Sequence, residues 1–176
     1  MSGDRGEVTI ERGGIDDVPA LRDLWLELHH HHQEVAPQSG EFVSDEESWR
    51  VRSSEYREWL ADPRSFLLIA RSGAQPVGYA VVRVMASGPE LRDAWQVPET
   101  IAEIETMLVS AEFRDAGLGS RLLDEIDAEL ERRGITEVIV GLMPGNDGAQ
   151  RLYERRGFQR RWLVLARGEW ADVASE

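Results

Sequence analysis

The sequence predicts a mixed α/β domain whose mostly antiparallel sheet is flanked by helices. Three features predict this class: apolar runs rich in strand formers, segments with apolar residues at helical spacing, and Gly or Pro between them. Read in order, they give β-α-α-β-β-β-α-β-α-β, in which strands and helices intermix along the whole chain. The 176 residues suit a single domain spanning 1–176.

The first third of the chain predicts one strand and two helices. Residues 8–12 alternate as a strand does, and Asp16 reads as the N-cap of an amphipathic helix that fades near His29–His32. Ser44 has capping-box spacing with the glutamate three residues later, which predicts the start of the second helix. That helix is expected to end at Asp62-Pro63, because a residue preceding proline avoids the α conformation.

The remaining two thirds predict five strands and two helices. The apolar runs 66–70 and 77–84 are separated by a short turn containing Gly73, which is typical of a hairpin. An irregular stretch over 86–100 follows. The later predicted elements are a strand over 101–109, a helix over 118–133, a strand over 136–142, a helix over 148–156 and a strand over 161–166.

Composition narrows the function classes. The chain has 33 Asp and Glu against 20 Lys and Arg, a formal net charge of −13, which disfavours nucleic acid and anionic membrane surfaces as partners. No apolar run approaches the roughly 18 residues of a membrane span. Cysteine is absent, so disulfides, thiolate metal sites and a Cys nucleophile are excluded. The polar N-terminus is unlike a signal peptide, so we expect a cytoplasmic protein. The acidic charge would suit a cationic partner such as an amine, but the alternative, that it mainly keeps the protein soluble, is favoured.

The segment 107–123 predicts a phosphate site. An apolar strand runs through a short loop into an amphipathic helix that begins near Gly117. The first N–H groups of such a helix have no acceptor within it, and small residues at Ala116, Gly117 and Gly119 let an anion approach the backbone. Arg114 would add a charge-assisted contact. Alternatively, the glycines only turn the chain and pack the helix; no Lys-Ser/Thr follows them, so this is not a P-loop.

The pattern Arg114-x-x-Gly117-x-Gly119 after this strand resembles the acetyl-CoA signature of the GNAT family of N-acetyltransferases. The resemblance implies a GNAT fold and acetyl-CoA as co-substrate, with strand backbone at the pantetheine arm and the loop and first helical turn at the pyrophosphate. The implied cofactor-binding residues are Met107, Leu108 and Val109 in the strand, and Arg114, Asp115, Ala116, Gly117, Leu118, Gly119 and Ser120 in the loop and helix. Asp115 departs from the family, which usually has glycine there.

A second pattern, Asn146-x-x-Ala149-x-x-Leu152-Tyr153 followed by Gly157-Phe158, is similar to the family's other signature. The resemblance is best over 66–166 and extends to the N-terminal third only in element order. It implies that Tyr153 acts as the general acid for the leaving thiolate; the alternative is a core aromatic residue. Asn146 is implied in cofactor binding through the pantetheine amide, and also fits a helix cap.

Two glutamates are candidates for the base that an amine acceptor requires. A primary amine with a pKa of about 10 is mostly protonated at neutral pH and must lose a proton before it attacks. Glu103 and Glu105 share one face of the predicted strand by its period of two. The run Ala-Glu-Ile at 102–104 resembles the position of the base in some family members, which favours Glu103 narrowly. A solvated strand end is the alternative.

These observations predict an N-acetyltransferase that moves acetyl from acetyl-CoA to a primary amine by direct attack in a ternary complex, without a metal. The expected acceptor amine is that of a small molecule or a peptide, and a homodimer is compatible with the family. The alternatives are a non-catalytic acyl-CoA-binding sensor of the same fold, or an enzyme with another acyl group or an oxygen acceptor. The run His29–His32 lacks a carboxylate at obvious ligand spacing, which favours a polar helix end over a metal site. The resemblance implies that this region borders the acceptor site, so one of these histidines or Glu34 is a candidate substrate contact. Trp25, Trp49 and Trp95 are candidates for the pocket wall, and the alternative is that they are core residues.

Overall fold

The computed structural model describes residues 7–161 and 163–165. Five strands form one sheet in the order β1-β2-β3-β4-β5, antiparallel throughout except for the parallel pair β4 and β5. The strands are β1 (Val8–Gly13), β2 (Phe66–Ser72), β3 (Gln75–Ala86), β4 (Thr100–Val109) and β5 (Val138–Val140). The helices are α1 (Arg22–Val35), α2 (Asp45–Leu60), the single turn α3 (Pro89–Arg92), α4 (Leu118–Arg132) and α5 (Asp147–Arg155). The predicted mixed α/β class is confirmed.

Helices cover both faces of the sheet. On one face α1 and α2 pack over Leu67, Ile69 and Tyr79, and on the other α4 and α5 pack over Leu68 and Val82. Because successive residues of a strand point to opposite faces, a strand covered on both sides is apolar without alternation. This is why the run 66–70 reads as continuously hydrophobic: each of its residues is buried.

The entry into the first helix differs from the prediction. A 3-10 segment over Ile15–Leu21 precedes α1, and Asp16 does not act as its N-cap. Instead the carboxylate of Asp17 accepts a hydrogen bond of 2.9 Å from the N–H of Gly14. The helix also continues through the histidines to Val35, because tertiary contacts such as the burial of His29 stabilise its last turns.

Several other elements match the sequence closely. Ser44 caps α2 by accepting the N–H of Glu47 at 3.3 Å, and the predicted hairpin forms between β2 and β3. The helices α4 and α5 are followed by Gly134 and Gly157, whose φ angles of 67° and 89° lie in the left-handed region that glycine favours. These features depend on residues close in sequence, so the pattern predicts them directly.

The end of the sheet is smaller than predicted. The strand predicted over 136–142 is reduced to Val138–Val140. Of the last strand predicted over 161–166, residues 161 and 163–165 are not in a strand, and residues 162 and 166 lie outside the described part of the chain. Leu163, Val164 and Leu165 have 79–84 % of their surface exposed, and none of the five described strands pairs with them. Within residues 7–161 and 163–165, no helix is long and apolar enough to cross a membrane.

Candidate active site

β4 and β5 separate half-way along β4. Pairing joins residues Ala102, Glu103 and Ile104 to β5, and ends there. From Thr106 to Val109, β4 pairs only with β3 among the described strands. The cofactor candidates Met107, Leu108 and Val109 therefore lie in a stretch with one strand edge unpaired. Backbone N–H and C=O groups on such an edge are available to an extended ligand.

A bulge in β4 sets the position of Glu105. The pairing with β3 passes from Val81 opposite Thr106 to Val82 opposite Ile104, so Glu105 has no partner of its own. A bulge bends its strand and re-aims a side chain, which the period-two pattern of the sequence does not reveal. Glu103 and Glu105 nevertheless meet, because both contact Arg83 of β3.

The two glutamates share one guanidinium. Nη2 of Arg83 donates to Oε2 of Glu103 at 2.9 Å, and Nε lies 2.6 Å from Oε1 of Glu105 in an ion pair without hydrogen-bond alignment. Burial, and next the charge of Glu103, raise the pKa of Glu105 to about 7. Glu105 is thus a carboxyl group poised to exchange a proton near neutral pH.

The loop between β4 and α4 has the backbone conformation that an anion site requires. Gly117 has φ 77°, and the first bond within the helix is Arg121 N–H to Gly117 O at 3.1 Å. The N–H groups of Leu118, Gly119 and Ser120 therefore have no acceptor in the helix, and no described side chain caps them. The dipole of a helix of this length favours negative charge at that end.

Asp115 departs from the family's glycine but keeps the backbone that glycine would adopt. Its φ of 60° lies in the left-handed region and is the only positive φ of a non-glycine residue in the described chain. Aspartate is among the few residues that tolerate this region, so the substitution preserves the turn.

Gly119, in the first turn of α4, allows close packing of α4 against α5. A Cβ added at Gly119 would lie 3.1 Å from Cδ2 of Leu152.

Arg114 is held by a residue that the sequence did not indicate. Its Nε donates to the carbonyl of Val109 at 3.0 Å and its Nη2 to Oε1 of Glu27 at 2.9 Å. The same oxygen of Glu27 accepts the N–H of Ala111 at 2.7 Å. Glu27 on α1 thus joins both ends of the turn, whereas the sequence predicted a contact from Arg114 to phosphate. Because 84 residues separate Glu27 from Ala111, no local pattern could have indicated the contact.

The second motif places its two predicted residues on α5. Oδ1 of Asn146 accepts the N–H of Ala149 at 3.2 Å, which is the geometry of a helix cap. Tyr153 is buried, with its ring 5.2 Å from that of Phe158, and its hydroxyl makes no hydrogen bond to a described residue. Burial raises the pKa of Tyr153, so its hydroxyl keeps its proton at neutral pH and is available as a hydrogen-bond donor.

Comparison of the sequence with known protein families identifies the family of this chain. Residues 25–158 match the family model described as Acetyltransferase (GNAT) family. The chain belongs to this family. The resemblance to this family that the two motifs indicated is confirmed.

The relatives of this GNAT chain are acetyltransferases of modest identity. A mycothiol acetyltransferase of Geodermatophilus obscurus is 28 % identical over 85 % of the chain and 50 % of its own length. The N-alpha-acetyltransferase RimI of Mycobacterium tuberculosis is 33 % identical over 57 % of the chain and 56 % of its own length. The chain thus spans about half the length of these curated relatives. A predicted acetyltransferase from Clostridium acetobutylicum, solved with acetyl-CoA, has the same fold, with a TM-score of 0.66, 18 % identity, and coverage of 91 % of this chain and 96 % of that one.

Aromatic side chains form a cluster on the α1 and α2 side of this GNAT chain. Trp25, Tyr56 and Trp59 surround the guanidinium of Arg52, whose Cζ lies 4.6, 5.7 and 5.5 Å from their ring centres. The cluster is held in place, since the hydroxyl of Tyr56 donates to Oγ1 of Thr106 on β4 at 2.6 Å. Of the predicted acceptor-site tryptophans, Trp25 belongs to this cluster, Trp49 packs against the same core, and Trp95 is 43 % exposed.

The four histidines point in different directions. Nε2 of His29 lies 3.1 Å from the carbonyl of Val43, His30 contacts Asp45 at 2.8 Å, and His31 lies 3.8 Å from Glu34. Burial, and next the charges of His31, His29 and Arg52, lower the pKa of His32 to about 4, so it is neutral at physiological pH. In the described part of the chain no three His, Asp or Glu residues come together as metal ligands.

Proposed function

We propose that this GNAT chain is an acetyl-CoA-dependent N-acetyltransferase that passes acetyl directly to a primary amine while both are bound. The observation that carries the proposal is the separation of β4 from β5 beside the uncapped first turn of α4. It leaves unpaired strand backbone next to free helix N–H groups. Those two kinds of donor suit the extended pantetheine arm and the pyrophosphate of one ligand.

The residues of the opening fit acetyl-CoA. Backbone groups of Met107 to Val109 would hold the arm, and N–H groups of Leu118 to Ser120 the pyrophosphate. Gly117 leaves the backbone accessible, since a side chain there would project into open space, whereas the small size of Gly119 lets α4 pack against Leu152. When bound, acetyl-CoA supplies an acetyl group activated as a thioester. Its presence in the solved relative from Clostridium acetobutylicum supports the same use here.

Glu105 is the base that the geometry favours over Glu103. A carboxyl group with a pKa near 7 is half ionised at neutral pH and accepts a proton far better than an ordinary glutamate. In this step the amine nitrogen gives its proton to Glu105, directly or through a water, and its freed lone pair forms the new N–C bond. Glu103 assists, because its charge helps to keep the pKa of its neighbour raised.

Tyr153 is the proposed donor to the leaving group. The C–S bond breaks as the N–C bond forms, and the bonding electrons leave with sulfur as a thiolate. The Tyr153 hydroxyl, which keeps its proton at neutral pH, donates a hydrogen bond to that sulfur and so stabilises the departing thiolate. With no cysteine in the chain, an acyl-cysteine intermediate is excluded, which favours direct transfer over a two-step route.

The test separates binding from turnover. Calorimetry with acetyl-CoA should give saturable 1:1 binding, and an acceptor screen should then detect CoA release. Tyr153→Phe is expected to lower kcat about 10- to 100-fold while the Kd for acetyl-CoA changes less than twofold. Tyr79→Phe, which removes the hydroxyl of another buried tyrosine, serves as the control. Equal losses in kcat and affinity would refute the role of Tyr153; binding without CoA release for any acceptor would favour the sensor alternative.

A further inference from the structure

We propose that the acceptor of this chain is an amino carboxylate, meaning an amino acid or a related amine with a free carboxyl group, and that Arg52 binds the carboxylate. The inference rests on the proposed function, because it names the substrate class of that same site. Its basis is a guanidinium that is rigidly placed beside the proposed base and yet lacks hydrogen-bond partners. Each of these properties is visible in the contacts of Arg52.

Arg52 is held by cation–π contacts rather than by hydrogen bonds. Its guanidinium lies over Trp25, Tyr56 and Trp59, with the closest ring centre 4.6 Å away. The nearest ring is itself fixed, because Nε1 of Trp25 donates to Oγ of Ser48 at 2.9 Å. Cation–π contacts supply none of the lone-pair acceptors that the N–H groups of a guanidinium seek, so its donors stay available to a ligand.

The hydrogen-bonding capacity of Arg52 is unused within the described chain. A guanidinium has five N–H donors, and that of Arg52 makes no hydrogen bond to any described residue. Its one ion pair, with Glu55, joins Nη1 to Oε2 at 3.4 Å. Other arginines of α2 are better matched: Arg50 donates to both carboxylate oxygens of Glu47 at 2.7 and 2.6 Å, and Arg57 donates to the carbonyl of Ser53 at 3.0 Å. With 25 % of its side chain exposed, Arg52 remains reachable.

The indole of Trp59 links Arg52 to the proposed base. The Cζ atoms of Arg52 and Arg83 lie 5.5 and 5.2 Å from its ring centre. Because Arg83 is the ion-pair partner of Glu105, the free guanidinium and the base stand near one aromatic ring. A ligand bridging them would place its amine at Glu105 and a negative group at Arg52.

Charge and shape favour a carboxylate as that negative group. A guanidinium presents paired N–H groups that match the two oxygens of a carboxylate. Glu55, Glu103 and Glu105 are also close, so a singly charged anion is repelled less than a doubly charged phosphate. His32, which faces the same guanidinium, has its pKa lowered to about 4 and is therefore not a competing cation at neutral pH.

The experiment compares acids with their amides. Amino acids, and ω-amino acids of increasing chain length, are offered as acceptors both as free acids and as primary carboxamides, and CoA release is followed. The best acid is expected to exceed its amide at least tenfold in kcat/KM. Arg52→Gln should lower kcat/KM for that acid about 10- to 100-fold and leave the amides within twofold, with Arg52→Lys in between. Arg50→Gln on the exposed side of the same helix is the control and should change neither.

A second readout needs no chemistry. Because Arg52 contacts Trp25 and Trp59, N-acetylated amino acids should alter tryptophan fluorescence in the wild type more strongly than their amides, and less in Arg52→Gln. Equal rates for acids and amides, equal losses on both in Arg52→Gln, or rejection of every amino carboxylate by a protein that binds acetyl-CoA would each overturn the assignment. If acetyl-CoA does not bind, the proposed function fails, and the fluorescence result alone decides whether Arg52 binds carboxylates.

Discussion

Replacing Glu105 by Gln is expected to stabilise the folded protein at pH 8 while it removes the proposed base. In the folded state the pKa of Glu105 is raised from 4.5 to about 7 by burial and by the charge of Glu103. The folded protein therefore holds this proton more tightly than the unfolded chain does. The cost of ionising Glu105 is absent below pH 4.5, grows as the pH rises to about 7, and is fully present above that.

The size of the effect follows from the shift. One pKa unit corresponds to about 1.4 kcal/mol, so the shift of Glu105 corresponds to roughly 3 kcal/mol of unfolding free energy at pH 8. Glutamine is nearly the same size and does not titrate, so Glu105→Gln should recover up to about this amount at pH 8 and almost nothing near pH 4.5. The charge of Arg83 lowers the pKa of Glu105, and the value of about 7 already includes this effect. The value of roughly 3 kcal/mol therefore needs no separate correction for the ion pair.

Urea unfolding of wild type and Glu105→Gln at pH 5, 6, 7 and 8 measures the difference. It should grow with pH in the variant's favour, and a difference that is constant across this range would refute the reasoning. In the wild type, kcat should also fall about tenfold per pH unit below about 7, as Glu105 takes up its proton. Glu103→Gln is the matched control: it should keep turnover and move this acidic limb to lower pH, because the charge of Glu103 is one cause of the shift. Loss of turnover in Glu103→Gln alone would make Glu103 the base.

Three further outcomes are expected. Gly117→Glu should weaken acetyl-CoA binding at least 30-fold by calorimetry, because it adds a negative charge to the N-terminus of α4. The control Gly117→Ala has the same backbone strain at φ 77° but no charge, and should lose far less affinity. Equal losses in the two variants would argue against the phosphate site. Glu27→Gln should raise the KM for acetyl-CoA about 3- to 30-fold with little change in kcat, because it weakens the contacts to Ala111 and Arg114. The control Glu34→Gln, exposed on the same helix, should change neither constant. Wild-type kinetics in Glu27→Gln would show that Glu27 does not support the loop. Tyr56→Phe should cost about 1 to 2 kcal/mol in urea unfolding, because its buried hydroxyl donates to Thr106 at 2.6 Å, and no loss would show that bond to be unimportant.

Short-range patterns account for what could be predicted of the site. Asn146 and Tyr153 lie in one helix, and Gly117 and Gly119 follow one strand, so their spacing carries over to the structure. The strand period predicts that Glu103 and Glu105 lie on one face, but it does not predict that the pKa of Glu105 is raised. The surroundings of Glu105 depend on a bulge in β4 and on Arg83 of the neighbouring strand, and no short-range sequence pattern indicates either one.

The sequence by itself determined the α/β class, the hairpin, the cap at Ser44 and the two motifs that identify the family, because each depends on residues a few positions apart. The tertiary structure alone decided how far β5 extends, since a strand continues only where it has a partner. It also decided that Glu27 holds the loop between β4 and α4, and that Arg52 and Arg83, the ion-pair partner of Glu105, both lie near the ring of Trp59. Burial and long-range contact set the pKa of a carboxyl group and the free donors of a guanidinium, and both arise only when distant segments pack together.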